Sequence, residues 1–403
     1  VTEVLSAQEV PTIRLDVLDP RFVVDPYPFM EEVRALGPVV RERESGYFLV
    51  TGYRDAARVM GLAKSFASDV EHFVALFGGA TMECMDNPRH DQVKSIWAKD
   101  FQRGTLAERR AFVEHVVDEQ TRDVIDRLRA GETVDAVTGM TRAIPTIIIA
   151  TMMGVRPEDF RQFVQWSDDM GGVLEARDDG SPEGRARVER ANRATRELNA
   201  YLLKEVARRR AEGGDDLVAK MATSDVPMAE DEIVASNTQL VFAGNETTSK
   251  LMGYAIAALA QHPEQRRELL HDRSLVPQSI EEAHRWTSVL VYNLRFVKEE
   301  GTVVGGVALP KDATVMVLQA AANRDPDRWD DPSAFDLHRP PQAHLGFGAG
   351  LHSCLGLNLA RLETEVLINK LLDEVPDWEV LEPAWGTNPM VRGASAIPLR
   401  LPN

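Results

Sequence analysis

The chain has 403 residues, 44% hydrophobic and 27% charged, and a formal net charge of −17 at pH 7, an ordinary globular composition long enough for two domains or one large enzyme fold. The acidic balance argues against a broad nucleic-acid footprint, and two cysteines far apart give neither a disulfide framework nor a metal-finger spacing, which suits a reducing cytoplasm. No window approaches the ~18 uninterrupted apolar residues of a membrane span, and the opening VTEVLSAQEVPTIRLDVLDP lacks the charged region and apolar core of a secretory signal.

In chain order, DPYPFMEEVRAL predicts a first helix, and PVVRERESGYFLVTGY alternates as short strands do. Helical spacing of three and four returns in NPRHDQVKSIWAKDF and in AERRAFVEHVVDEQTRDVIDRLR. EARDDGSPEG predicts a loop, and ANRATRELNAYLLKEVARRRAE another helix. From Glu230 to Gln261 the chain is apolar on most faces, the pattern of a helix buried through the protein rather than lying on it. GTVVGGVAL and DATVMVLQA predict strands, and RDPDRWDDPSAFDLHRPPQAHLGFGAG a long aperiodic loop of the kind that is usually functional. A helix beginning near Leu355 carries an apolar stripe of Leu357, Leu362, Val366 and Leu367, and AIPLRLPN predicts a terminal strand. The fold class is mainly α with a minor sheet component.

Residues 346–356 read GFGAGLHSCLG. Cys354 lies at the head of the helix that follows, where free N–H groups and the helix dipole favour an anion. Gly348, Gly350 and Gly356 clear side chains from its surroundings, so something flat and bulky can reach the backbone. A dinucleotide loop also spaces its glycines, but HRPPQAH is not the strand that should precede one. His344, His352 and Cys354 offer three zinc ligands without a fourth at a recognisable spacing. A buried, inert thiol is the remaining alternative.

FGAGLHSCLG matches the haem-binding signature F-G-x-G-x-H-x-C-x-G at every defined position, and the chain here resembles the cytochrome P450 family of haem-thiolate monooxygenases, of the soluble bacterial kind. The likeness extends over nearly the whole chain, with landmarks in order. It implies one domain over residues 1–403, a long central helix over haem b, and a small β-rich lobe mainly from 38–52, 302–319 and the C-terminal strands. Cys354 is then the proximal ligand of the iron, Phe347 covers the sulfur side, and Gly348 and Gly356 belong to the cofactor-binding loop. A thiolate ligand pushes electron density onto iron and favours O–O cleavage.

AGNETT, at 243–248, places an acid and two threonines inside the apolar helix. Such hydroxyls can bond back to the carbonyl four residues earlier. The resemblance implies instead that Ala243 and Gly244 let the haem and dioxygen approach, while Glu246 and Thr247 deliver protons. Glu282 and Arg285 of EEAHRW, with Arg339 of FDLHR, are implied to form a buried charge network holding the cysteine loop, a structural role. His90 and Lys94, one turn apart, are implied to hold the haem propionates together with Arg295 and His352. Position 94 departs from the family pattern, where arginine is usual, and lysine lacks the bidentate fork. The proline often found after E-x-x-R is also missing.

Substrate contacts are implied at Phe77, Val241, Phe242, Val289, Tyr292 and Met390, with Thr238 and Arg392 nearby, a mostly apolar set. The implied reaction inserts one oxygen atom of O2 into a small, largely apolar molecule, by hydroxylation or oxidative demethylation. No flavin or iron–sulfur segment is present, so electrons should come from a ferredoxin or flavodoxin with its NAD(P)H reductase. Lys94, Lys99, Arg103, Arg109, Arg110 and Arg361 would steer such a carrier to a local basic face. A peroxide-driven peroxygenase and a non-catalytic haem-based gas binder are the alternatives.

Overall fold

The computed structural model describes residues 4–68, 70–175 and 181–402. Residues 176–180 of the predicted 175–184 loop lie outside the described residues, while Glu175 ends one helix and Pro182–Gly184 already belong to the next. The apolar run is one helix, Glu230–Gln261, with the predicted bounds. Local signals account for both ends. Glu230, Asp231 and Glu232 place negative charge in the first turn, and the Glu232 carboxylate accepts from the Ala229 N–H at 3.1 Å. At the other end His262 precedes Pro263, whose ring disfavours continued helix.

Contacts divide the chain into two units. One is drawn from Val1–Asp69, His284–Cys354 and Thr387–Arg392. It contains a six-stranded sheet in the order Thr12–Ile13, Val39–Glu42, Phe48–Val50, Thr314–Val317, Asn293–Val297, Phe66–Ala67. Its centre joins distant sequence: Phe48–Val50 runs parallel to Val315–Val317, with Phe48 opposite Val315. Val50, Val297, Val315 and Val317 are buried in a core shared with Val304 and Leu309 of a second small sheet.

The other unit, Val70–Ala283, Leu355–Gly386 and Gly393–Asn403, is dominated by helices. Against Glu230–Gln261 pack Ala143–Met152, Phe160–Glu175, Pro182–Glu212 and Leu357–Glu374. Neighbours on several sides explain why 20 of its 32 residues are buried. The Trp378 indole N–H donates to the Ile256 carbonyl at 3.1 Å, and that of Trp97 to Leu217 at 2.9 Å. Pro182–Glu212 starts with a Ser181 cap on the Gly184 N–H and ends at Gly213 in the left-handed region. The C-terminal strand Pro398–Arg400 lies in this unit, between Glu379–Val380 and Val134–Asp135.

Candidate active site

Residues 324–349 contain neither helix nor strand, as predicted, and run into a single 3-10 turn at Gly350–His352. Gly348 and Gly350 have φ of +73° and +71°. A Cβ on Gly350 would lie 2.5 Å from the Cα of Gly61, so this glycine is required by a backbone-to-backbone approach. The Cys354 N–H donates to the Phe347 carbonyl at 2.9 Å, closing the loop on itself and leaving the thiol exposed. The following helix is Leu357–Glu374 with Gly356 at its N-cap, two residues later than expected.

Several side chains tie the loop down from within its own unit. Asn323 accepts from the Leu345 N–H at 2.6 Å and donates to Ser288 Oγ at 2.9 Å. Gln319 donates to the Leu345 carbonyl. The Ala343 carbonyl accepts from Tyr53 at 2.7 Å and from Arg328 at 2.8 Å. His284 meets Phe347 edge-on at 4.4 Å between ring centres, and a Cβ on Gly346 would collide with both His284 and His344. Of these residues, His344 and Phe347 were singled out from sequence, whereas Asn323, Gln319, Tyr53, Arg328 and His284 were not. Arg328 lies within the predicted loop and Asn323 immediately precedes it.

Glu282, Arg285 and Arg339 are all buried. Arg285 donates to the carbonyls of Asn323, Pro332 and Ala334 at 3.0, 2.8 and 2.9 Å. Arg339 donates to Asp330, Asp331 and Ala334 at 2.6, 3.1 and 3.1 Å. Both guanidinium groups therefore converge on the Ala334 carbonyl and hold the stretch before the cysteine loop. Arg295, on Asn293–Val297, is buried and donates to the Leu294 carbonyl at 2.8 Å.

In the central helix, Val241 is fully buried but Ala243 is exposed, with Phe242 and Gly244 intermediate. Thr247 Oγ1 donates to the Ala243 carbonyl at 2.8 Å, the back-bond anticipated for this motif. Asn245 turns to Ser167 Oγ at 2.8 Å. Glu246 accepts from Lys250, one turn along, at 2.5 Å. A Cβ on Gly244 would come within 3.3 Å of Ile149, so the close approach this glycine permits is that of the Ala143–Met152 helix. His90 is buried on Arg89–Ala98, with Nδ1 2.9 Å from an Asp91 oxygen, and Lys94 is half-buried one turn later.

The cytochrome P450 family model matches residues 29–376. The chain belongs to the cytochrome P450 family. Among its curated relatives are the cytochrome P450 monooxygenase PikC of Streptomyces venezuelae, 30% identical over 97% of this chain and 94% of that protein. Another is the 6-deoxyerythronolide B hydroxylase of Saccharopolyspora erythraea, 29% identical over 96% of this chain and 98% of its own length. The crystal structure of CalO2 superposes with a TM-score of 0.87 at 27% identity, covering 96% of this chain and 99% of that one.

This P450 is accordingly a haem-thiolate monooxygenase that binds haem b and acts on a small organic substrate. Its local chemistry fits the cofactor. The loop presents an exposed soft sulfur with two left-handed glycines on its approach. In the other unit, the central helix is exposed at Ala243 between buried Val241 and Asn245.

The expected pocket residues form two groups. Phe77 and Phe242 meet edge-to-face at 5.7 Å, next to buried Val241. Val289, Tyr292 and Met390 come together separately, where the Val291 N–H donates to Met390 and the Arg392 N–H to Val289, each at 2.9 Å. Burial pushes the Tyr292 hydroxyl up to about 12. Arg392, expected near the substrate contacts, has its guanidinium buried on the Val23 and Val24 carbonyls at the end of the Pro20–Val24 helix. Thr238 is fully buried and donates to Asn199 at 2.5 Å. Three of the six cations of the expected basic face have acidic neighbours. Arg110 pairs with Glu365 and Arg361 with Glu281, both at 2.6 Å, and Arg109 lies 3.8 Å from Asp100.

Among the described residues, no helix is long and apolar enough to cross a membrane.

Proposed function

We propose that Cys354 ligates the haem iron through its thiolate, and that electrons arrive from a ferredoxin or flavodoxin served by an NAD(P)H reductase in the cytoplasm. The single observation carrying this reading is the exposed Cys354 thiol, in a loop closed by the Cys354 N–H on Phe347 and packed glycine against glycine at Gly350. When bound, haem supplies the activation of O2, one oxygen atom of which enters the substrate while the other leaves as water. Residues 1–403 act as one catalytic domain.

Phe347 covers the sulfur, and Gly348 and Gly356 leave room for the macrocycle. Arg295, His90, Lys94 and His352 hold the propionates by charge-assisted hydrogen bonds. Releasing water needs two protons inside a site that otherwise excludes solvent. Glu246 holds and gives up the proton at its carboxylate. Thr247, whose hydroxyl hydrogen is directed to the Ala243 carbonyl, offers its oxygen lone pairs as an acceptor. Phe77, Val241, Phe242, Val289, Tyr292 and Met390 select a largely apolar molecule by shape.

Cys354→Ala tests the reading. The variant should lose the thiolate-type absorbance of the reduced carbon monoxide complex, and persistence of that band would show that another side chain holds the iron. NAD(P)H consumption coupled to product through an added redox chain separates monooxygenation from the peroxide-driven and non-catalytic alternatives.

A further inference from the structure

We propose that Lys250 positions Glu246, and that Lys250, Glu246 and Gly171 together form the inlet through which protons enter the site. The proposal rests on the role assigned above to Glu246 and adds the residues that would control it. Lys250 Nζ lies 2.5 Å from Glu246 Oε1, four residues on along the central helix. On an exposed helix such a pair contributes little. Here the side chains are 11% and 22% exposed, so water replaces neither partner easily and the pair fixes the carboxylate's orientation.

Two glycines from other segments shape the space around the pair. A Cβ on Gly393 would fall 2.5 Å from Lys250 Cγ and 2.7 Å from Cδ, so the lysine stem occupies the room a side chain there would need. On Phe160–Glu175, a Cβ on Gly171 would stand 3.3 Å from Glu246 Oε2. That oxygen is buried and has no hydrogen-bond partner among the described residues. A buried carboxylate oxygen calls for a donor, and the absence of a side chain at Gly171 favours one as small as water. Asp168, on the same helix as Gly171, is engaged with Arg142 at 3.5 Å.

The carboxylate is therefore held at one oxygen by Lys250 and supplied at the other. In each passage one proton from solvent water binds Glu246, leaves toward the Thr247 side, and returns Glu246 to the anion. No electron moves. Neither Lys250 nor Gly171 stands out in the sequence, because an i,i+4 acid–base pair usually reads as a solvated helix face.

The test uses haem-loaded Lys250→Met, Lys250→Arg, Gly171→Ala, Glu246→Gln and the Lys250→Met/Glu246→Gln double variant. Thermal denaturation of the two singles and the double should be non-additive, a readout independent of turnover. Lys250→Met and Gly171→Ala should raise the hydrogen peroxide released per NAD(P)H consumed several-fold with the carbon monoxide spectrum unchanged, and Lys250→Arg should restore the ratio. Strict additivity in melting, or wild-type coupling in both Lys250→Met and Gly171→Ala while Glu246→Gln uncouples, overturns this inference and leaves the proposed function standing. Wild-type coupling in Glu246→Gln removes the acid's role itself.

Discussion

Glu363 is a carboxyl group on the Leu357–Glu374 helix that no proposed step uses. Burial alone holds it well above the usual carboxylate range, and Oε2 has no hydrogen-bond partner among the described residues. The folded protein therefore binds a proton here that the unfolded chain releases near the ordinary glutamate value. The associated stability is fully present below that value and declines as pH rises toward the folded-state value. Glu363→Gln carries no ionisable proton, so it should lose less stability between about pH 5 and about pH 8 than the native chain does. Melting temperatures of the two proteins across that interval measure the difference; parallel curves would mean that the carboxyl titrates normally. In the sequence, Glu363 follows Leu362 in LARLETEV and carries no mark of burial. A helix's polar positions are exposed only when one face is free, and this helix packs against Arg110–Arg129 and Glu230–Gln261.

At the scale of elements, the cysteine loop depends on one contact that no local pattern announces. Gly350 has φ of +71° and lies against Gly61, the last residue of the Tyr53–Gly61 helix. Gly350→Ala combines a left-handed backbone, which alone costs a non-glycine residue ~1–3 kcal/mol, with a methyl forced into backbone atoms. The expected outcome is a lower melting temperature and a reduced ratio of haem to protein absorbance, while Gly306→Ala, at φ of +80° with nothing within 4 Å of the added Cβ, serves as a control for backbone strain alone. Equal effects would mean that the contact with Gly61 contributes nothing. The central helix was legible to its bounds because acidic residues at the start and proline beyond the end act within one turn. The cysteine helix was placed two residues early, because a glycine N-cap leaves no side-chain signal of its own.

For the whole molecule, charge is the property with a consequence for partners. A chain at −17 would repel an acidic carrier of the proposed kind at long range, so its docking would depend on local cations. Arg109, Arg110 and Arg361 each have an acidic neighbour. Lys99 and Arg103 are exposed without a carboxylate partner among the described residues, Arg103 bonding only to the neutral Asn358 at 3.3 Å. Lys99→Glu with Arg103→Glu should slow reduction by an acidic carrier by about 10-fold or more at low salt, with the carbon monoxide spectrum unchanged. Stopped-flow reduction decides it, and an unaltered rate would place docking elsewhere.

The sequence by itself determined the helix-rich class, the central helix and the identity of the cysteine loop, because periodicity, caps and a ten-residue signature are local properties of the chain. Tertiary structure decided what surrounds each functional side chain. It put Asn323 and Gln319 beneath Leu345, Arg392 on the Val23 and Val24 carbonyls, and Gly171 against the Glu246 carboxylate. Those contacts join residues from 22 to 369 positions apart. Hydrogen bonding and packing act on distance in space, and separation along the chain carries no record of it.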